Sequence, residues 1–407
     1  MNCRHCAAPL RHGFLDLGFA PPSNAYLSAA DLSRPETYFP LRVKVCGRCW
    51  LVQTEDYARA DELFAGDYAY FSSTSRGWLE HARRYAGHVT GLLQLGPASH
   101  VVEIASNDGY LLRNFLAAGI PCLGIEPTAS TAAAAEALGI PVLREFFGED
   151  LGRRLAAQGR AADLVIGNNV YAHVPDIDDF TRGIAALLKP DGVVTLEFPH
   201  LRRLIAGRQF DTVYHEHFSY LSLGTVARIF AAAGLRVWDV EELPTHGGSL
   251  RVYGCHAAAP RPQSPRVQAL LEGEREAGLF RLDTYQGFQA AADRIKNDLL
   301  AFLIDRRRAG SRVAAYGAAA KGNTLLNYAG VKPDLVEFVC DAAAAKQGKF
   351  LPGSHIPIRP PAALRADRPD CLLVLPWNIA GEIREQLADL AAAGTEFFVA
   401  VPELRRL

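Results

Sequence analysis

From residue 76 onward the chain alternates short apolar runs with longer stretches in which apolar positions recur at helical spacing. The runs 100–105, 121–126, 141–144, 163–168 and 192–198 are rich in Val, Ile and Leu and are bounded by turn residues, so they predict five strands separated by helices. After a helix ending near Gly234, two more runs, 235–241 and 249–255, flank the turn Pro244-Thr245-His246-Gly247-Gly248 and predict a hairpin. Alternating strands and helices give parallel strands covered on both faces. The pattern therefore predicts a doubly wound α/β sheet of seven strands, the last two being the hairpin.

A Pro-rich stretch at 257–265 reads as a linker, and an amphipathic helical region follows from Val267 to about Arg308, broken near 279–282. Strand and helix then alternate again, with strands at 312–316, 335–340, 371–375 and 396–401, a helix from about Ala320 and another over 379–393. The first 75 residues differ: they carry several Pro and Gly, two cysteine pairs, and no helical periodicity before 58–64. The expected organisation is a small metal-organised module (1–75), a first α/β domain (76–258) and a second α/β domain (259–407). No repeat of fixed period runs through the chain.

Charge narrows the function classes. Lys plus Arg number 43 and Asp plus Glu 44, a net charge of −1 over 407 residues, which argues against nucleic acid as a partner held by bulk charge. With 49% hydrophobic and 21% charged residues the chain is not disordered. No apolar run reaches the ~20 residues of a membrane helix, and the polar, cysteine-bearing start is not a signal peptide. We expect a cytoplasmic monomer without membrane partners. Of the eight cysteines, Cys122, Cys255, Cys340 and Cys371 stand singly and read mostly as buried thiols. Cys3, Cys6, Cys46 and Cys49 form two C-x-x-C pairs, the pattern of a zinc site. Four thiolates leave no open coordination position, so the zinc is structural.

The first predicted strand of the central sheet runs into Glu103-Ile104-Ala105-Ser106-Asn107-Asp108-Gly109. A dinucleotide turn needs G-x-G-x-x-G for close approach of the pyrophosphate. Here a single glycine, Gly109, accompanies the acids Glu103 and Asp108, which suit a cofactor with a positive sulfonium and no phosphates. Glu126, ending the second strand, is placed to accept ribose hydroxyls, and Asn168, Asn169 and Val170, ending the fourth, line the same edge. These residues point to S-adenosylmethionine, the rivals being a nicotinamide dinucleotide or no ligand.

The fifth strand ends in Phe198-Pro199-His200, and Tyr214-His215-Glu216-His217 follows. Two histidines, a carboxylate and a tyrosine in one run suit general acid–base work near neutral pH, with Glu216 or another acid orienting a histidine. His173 falls at the same edge of the sheet, while His246 reads as part of the hairpin turn. In the second α/β domain, Tyr316-Gly317-Ala318-Ala319-Ala320-Lys321-Gly322-Asn323 is a strand, a small-residue turn and a lysine-bearing helix start, a phosphate-sized site without the Walker spacing. Phe198, Pro199, His200, Tyr316, Lys321, Gly322 and Asn323 are thus candidate substrate residues.

Taken together, the doubled C-x-x-C, Asp67-Tyr68-Ala69-Tyr70-Phe71-Ser72-Ser73, Ser106-Asn107-Asp108-Gly109, Glu197-Phe198-Pro199-His200, Tyr214-His215-Glu216-His217 and the 316–323 segment resemble the nucleotide-sugar C-methyltransferases, in order and over essentially the whole chain. The resemblance implies a class I methyltransferase sheet between a zinc module and a second Rossmann-like domain. It implies S-adenosylmethionine at 106–109 and Glu126, His217 as the base, and active-site positions at Tyr214, Glu216, His173 and Tyr68. The substrate it implies is a 4-keto-deoxysugar on thymidine diphosphate, methylated at C3 or alternatively C5. A zinc-module RNA methyltransferase and a non-catalytic sugar-nucleotide binder are the rival classes. The chain departs from the family pattern at Ala105, often glycine, and after Asp341, where alanines replace an asparagine and proline.

Overall fold

The computed structural model describes residues 1–57 and 71–407; the helical stretch expected at 58–64 and Tyr68 lie outside them. The N-terminal segment holds β1 (His12–Ala20), β2 (Phe39–Val45) and β3 (Val52–Thr54). Up to residue 256 follow β4 (Val101–Ile104), β5 (Cys122–Ile125), β6 (Val142–Leu143), β7 (Ala162–Asn168), β8 (Leu188–Pro199), β9 (Ser219–Tyr220), β10 (Leu235–Leu243) and β11 (Ser249–His256). The last segment contributes β12 (Val313–Tyr316), β13 (Val339–Cys340), β14 (Ile358–Arg359), β15 (Cys371–Val374), β16 (Glu396–Val399) and β17 (Arg405–Arg406).

The central sheet has the order β10-β11-β8-β7-β4-β5-β6, seven strands with β11 antiparallel to both its neighbours. The chain leaves β4 toward β5 and β6, then returns to place β7 on the other side. The order therefore reverses at β4, and a crevice opens at the carboxyl ends of β4 and β7. The C-terminal sheet, β14-β13-β12-β15-β16-β17, reverses in the same way at β12 and ends in an antiparallel edge. Its β14 and β17 escape the sequence pattern because each has only two residues. The helical region after the linker breaks as expected, into Pro265–Glu276, Asp283–Gln286 and Phe288–Arg308. Among the described residues no helix is long and apolar enough to cross a membrane.

The N-terminal module is built into both other parts. Its antiparallel sheet is completed by β9, Val52 pairing with Tyr220 and Gln53 with Ser219. Alternation along β2 buries Leu41, Val43 and Val45, which join Leu299, Leu303, Val313 and Leu373 of the C-terminal segment in one core. Cys3, Cys46, Cys49 and Leu51 pack instead into the core of the central sheet. The stretch 200–220 is held at the junction of the three.

Val267 and Leu270 of the first helix after the linker lie in the core of the central sheet, and Glu274 near its end is fully buried. The Glu274 carboxyl accepts from the backbone N–H of Leu223 (2.6 Å) and Gly224 (2.9 Å), the open start of helix Leu223–Ala232, and stands 2.8 Å from His200 Nε2. His200, expected to meet substrate, is therefore a buried brace, its side chain wholly inaccessible. Phe198 is likewise in the core against Tyr171, while Pro199 is half-buried. Glu274→Ala strands three partners at once and is expected to cost about 3 kcal/mol in urea unfolding without touching the crevice at β4 and β7.

Candidate active site

The loop after β4 turns by unusual backbone geometry: Ala105, Asn107 and Gly109 all have positive φ, at 56°, 50° and 76°. A Cβ on Gly109 would stand 2.5 Å from Ile140 Cδ1, so only glycine fits there. The loop is tied down by the Ser72 and Ser73 N–H groups, which donate to Asn107 Oδ1 (2.9 Å) and Asp108 Oδ2 (3.0 Å). Glu126 accepts the Asn107 and Thr128 N–H groups, each at 2.9 Å, one on each oxygen, and each oxygen keeps a lone pair for a further donor.

Around this loop, buried polar atoms gather without a partner among the described residues: Glu103 Oε2, Ser106 Oγ, Asp108 Oδ1, Asn169 Oδ1 and both amide atoms of Asn168. Each such atom costs about 1–3 kcal/mol when left unpaired. Their concentration at one crevice marks a place that a polar ligand completes. Burial, with Glu126 and Asp108 adding their charge, pushes Glu103 well above the usual carboxylate range. A cationic ligand with hydroxyl and amino groups answers that chemistry, and S-adenosylmethionine is one. Val170 packs against the central core next to the two asparagines.

The four residues of the candidate run 214–217 disperse. His215 Nε2 lies 3.3 Å from the Phe39 carbonyl of the N-terminal sheet. Glu216 Oε1 accepts from Asn24 Nδ2 at 2.7 Å. Tyr214 and His217 stay together, ring centroids 3.9 Å apart, with His173 at 4.6 Å from His217. The group that orients His217 is the backbone carbonyl of Thr212, which accepts from Nδ1 at 2.9 Å and leaves Nε2 as the basic nitrogen. Burial, then His173, lowers the His217 pKa well below the ordinary histidine value, so the ring is neutral at physiological pH. Burial takes His173 to about 4, against a hydrogen bond to the Glu216 backbone.

Lys321 reaches this centre from the C-terminal domain. It opens helix Ala320–Tyr328, lies 4.9 Å from the Trp377 ring, and donates to Asn378 Oδ1 at 2.7 Å. Its charge adds to the depression of both His217 and His246. Tyr316 is half-buried at the end of β12. Gly322 and Asn323 are both held by packing: a Cβ on Gly322 would stand 2.8 Å from Leu375 Cδ1, and buried Asn323 donates from Nδ2 to the Ser23 carbonyl at 2.6 Å, its Oδ1 having no partner among the described residues. Thr324 Oγ1 donates to the Val213 carbonyl at 2.9 Å and docks the helix beside the 214–217 run.

Two carboxylates were given no role from the sequence. Buried Asp211 accepts from Trp377 Nε1 at 2.7 Å, and burial raises it to about 6 against the pull of Lys321. Glu197, on β8, takes His81 Nε2 at 2.9 Å and Arg251 Nη2 at 2.7 Å, which overcome the upward push of burial and hold its carboxylate below the usual range. The partners in each set lie 54 to 166 residues apart, so only the fold brings them together.

In the N-terminal module the sulfurs of Cys3, Cys6, Cys46 and Cys49 lie within 4.8 Å of one another. Bonds of ~2.3 Å in a tetrahedral zinc site put sulfurs about 3.8 Å apart, so the four thiols fit that metal.

Known proteins match every part of the chain. The family model of a zinc binding domain matches residues 3–64, that of a methyltransferase domain 78–240, and that of a C-methyltransferase C-terminal domain 244–402. The C-methyltransferase NovU of Streptomyces niveus is 36% identical over 404 residues, which is 99% of this chain and 96% of NovU. Among solved structures, magnesium protoporphyrin IX methyltransferase (ChlM) of Synechocystis PCC 6803 with bound S-adenosylmethionine is 14% identical, with a TM-score of 0.33 over 48% of this chain and 89% of ChlM. A complex of the Haloferax volcanii Trm112 methyltransferase activator with a methyltransferase matches at 16% identity and a TM-score of 0.36, over 45% of this chain and 94% of that one. With NovU similar along its whole length and all three domain models in order, the chain belongs to the S-adenosylmethionine-dependent C-methyltransferases that carry a zinc-binding domain.

Proposed function

We propose that the enzyme methylates C3 of a 4-keto-deoxysugar carried on thymidine diphosphate. The observation that carries this reading is His217: a buried, neutral imidazole with its tautomer fixed by Thr212, set against Tyr214 and within the field of one cation, Lys321. Methylation at carbon needs a carbanion equivalent, and a proton next to a ketone is the one a histidine can remove. His217 Nε2 takes that proton from C3, and Tyr214 or Tyr68 hydrogen-bonds the enolate oxygen as charge develops on it. S-adenosylmethionine, bound at the β4 and β7 crevice, supplies the electrophilic methyl. Lys321 takes the diphosphate, which hangs from C1 of the same sugar ring, with Tyr316 beside it. His173 and Glu216 hold the walls of the sugar pocket. Residues 1–75 then form the zinc cap, 76–258 bind the methyl donor and carry the base, and 259–407 hold the nucleotide.

The test is a panel of thymidine-diphosphate keto-sugars incubated with methyl-labelled S-adenosylmethionine and read by NMR. A new methyl on C3 is the expected product. A methyl on C5 overturns the assigned position, and a methyl on oxygen or nitrogen overturns enolate chemistry.

A further inference from the structure

The turn between β10 and β11 has no part in the proposed reaction. His246 sits there at φ 55° and ψ 23°, left-handed backbone that a side chain disfavours, although two glycines follow it in sequence. Those glycines are committed to packing. A Cβ on Gly247 would stand 2.4 Å from Trp377 Cη2, and one on Gly248 2.6 Å from Arg203 Cγ. Gln209 Nε2 donates to the Gly247 carbonyl (2.9 Å), the His200 N–H to the Gly248 carbonyl (3.0 Å), and Thr245 Oγ1 to Glu197 (3.1 Å). The His246 ring rests 5.2 Å from that of Trp78. A rigid frame from three parts of the chain thus fixes where the imidazole stands.

Groups from four elements share its electrostatic field: His217 of the 214–217 run, Lys321 of helix Ala320–Tyr328, Glu197 of β8 and His81 of helix Arg76–Leu93. His81 is engaged by Glu197, and His217 Nδ1 by Thr212. Neither ring nitrogen of His246 has a hydrogen-bond partner among the described residues. Burial, then Lys321, lowers His246 to about 4, so the ring offers one donor and one acceptor at neutral pH. A hydroxyl can donate to the one nitrogen or accept from the other.

We propose that His246 is a substrate-positioning residue, its imidazole hydrogen-bonding a hydroxyl of the sugar beside the carbon that His217 deprotonates. This rests on the keto-sugar reading above. The strained backbone is then explained as the means of carrying a histidine, and not a glycine, at that point of the turn.

The test compares His246→Gly, which relieves the left-handed strain, with His246→Asn, which tolerates that backbone and keeps a donor and an acceptor. His246→Gly is expected to keep its melting temperature and S-adenosylmethionine affinity while kcat/KM for the keto-sugar falls about tenfold or more. Partial recovery is expected in His246→Asn, and in His246→Gly on adding free imidazole. If the wild type methylates a keto-sugar and His246→Gly stays within twofold of it, the inference is overturned alone. An activity loss that neither asparagine nor imidazole repairs also overturns it, since that is a turn-packing role. A wild type inactive on every keto-sugar overturns the functional reading and this inference with it.

Discussion

Replacing His217 with asparagine is expected to lower kcat/KM by about 10²–10⁴-fold, the range in which positioned general bases contribute, or roughly 3–5 kcal/mol of barrier. Asparagine can still donate toward the Thr212 carbonyl that accepts from His217 Nδ1 at 2.9 Å, so the loop keeps its anchor. It has no basic nitrogen to replace Nε2. Binding of S-adenosylmethionine, measured by calorimetry, is expected to stay within about twofold, because the orphaned acceptors of Glu103, Asp108, Asn168 and Asn169 belong to a different loop set. The pH profile carries a second expectation. The active form of His217 is the neutral one, and burial with His173 lowers its pKa well below the ordinary value. The His217 contribution to kcat/KM is therefore present above that lowered pKa and lost only as the pH falls through it, well into the acid range. Near-normal turnover by His217→Asn removes His217 as the base.

Much of the architecture was legible because it rests on periodicity. Each apolar run from 100–105 to 249–255 became a strand of the central sheet, since short buried parallel strands leave a continuous apolar signature whatever their neighbours are. The loop after β4 was legible in its polar residues, but not in its geometry: Ala105 and Asn107 adopt positive φ with no glycine to announce it. The 214–217 run stands out in sequence, yet adjacency in sequence says nothing about direction on irregular backbone. His215 turns to Phe39 and Glu216 to Asn24, and a backbone carbonyl, which no side-chain pattern can reveal, orients His217. The candidates that turn inward share one cause. Phe198, His200, Gly322 and Asn323 border functional positions in sequence but alternate or rotate into cores, where burial decides their partners.

Removing the zinc is expected to stop catalysis as well as destabilise the fold. The two knuckles repeat one construction: Cys3 and Cys46 accept on their carbonyls from Ala7 and Trp50 N–H, each at 3.0 Å, and both of those residues have positive φ, at 56° and 67°. Gln53 Nε2 donates to Cys3 Sγ at 3.2 Å and the Arg48 N–H to Cys46 Sγ at 3.4 Å, the amide support that thiolate ligands need. The first knuckle then grips the loop after His173. Arg4 Nη1 donates to the Pro175 carbonyl and His5 Nδ1 meets Asp178 Oδ1, both at 2.7 Å. The second knuckle leads directly into β3, which pairs with β9, two residues after His217. The metal module therefore holds both flanks of the His173 and His217 pair, whose rings are 4.6 Å apart. Because structural zinc contributes folding free energy outright, Cys49→Ser or treatment with a strong chelator is expected to lower the melting temperature by about 10 °C. Methyl transfer is expected to be lost in parallel, while S-adenosylmethionine still binds, since the β4 and β7 crevice makes none of these contacts. The check is metal content, thermal unfolding, cofactor binding and turnover on one preparation. A zinc-free protein with unchanged melting and full activity would contradict the coupling, because the knuckles would then hold their shape and the two histidines without a metal.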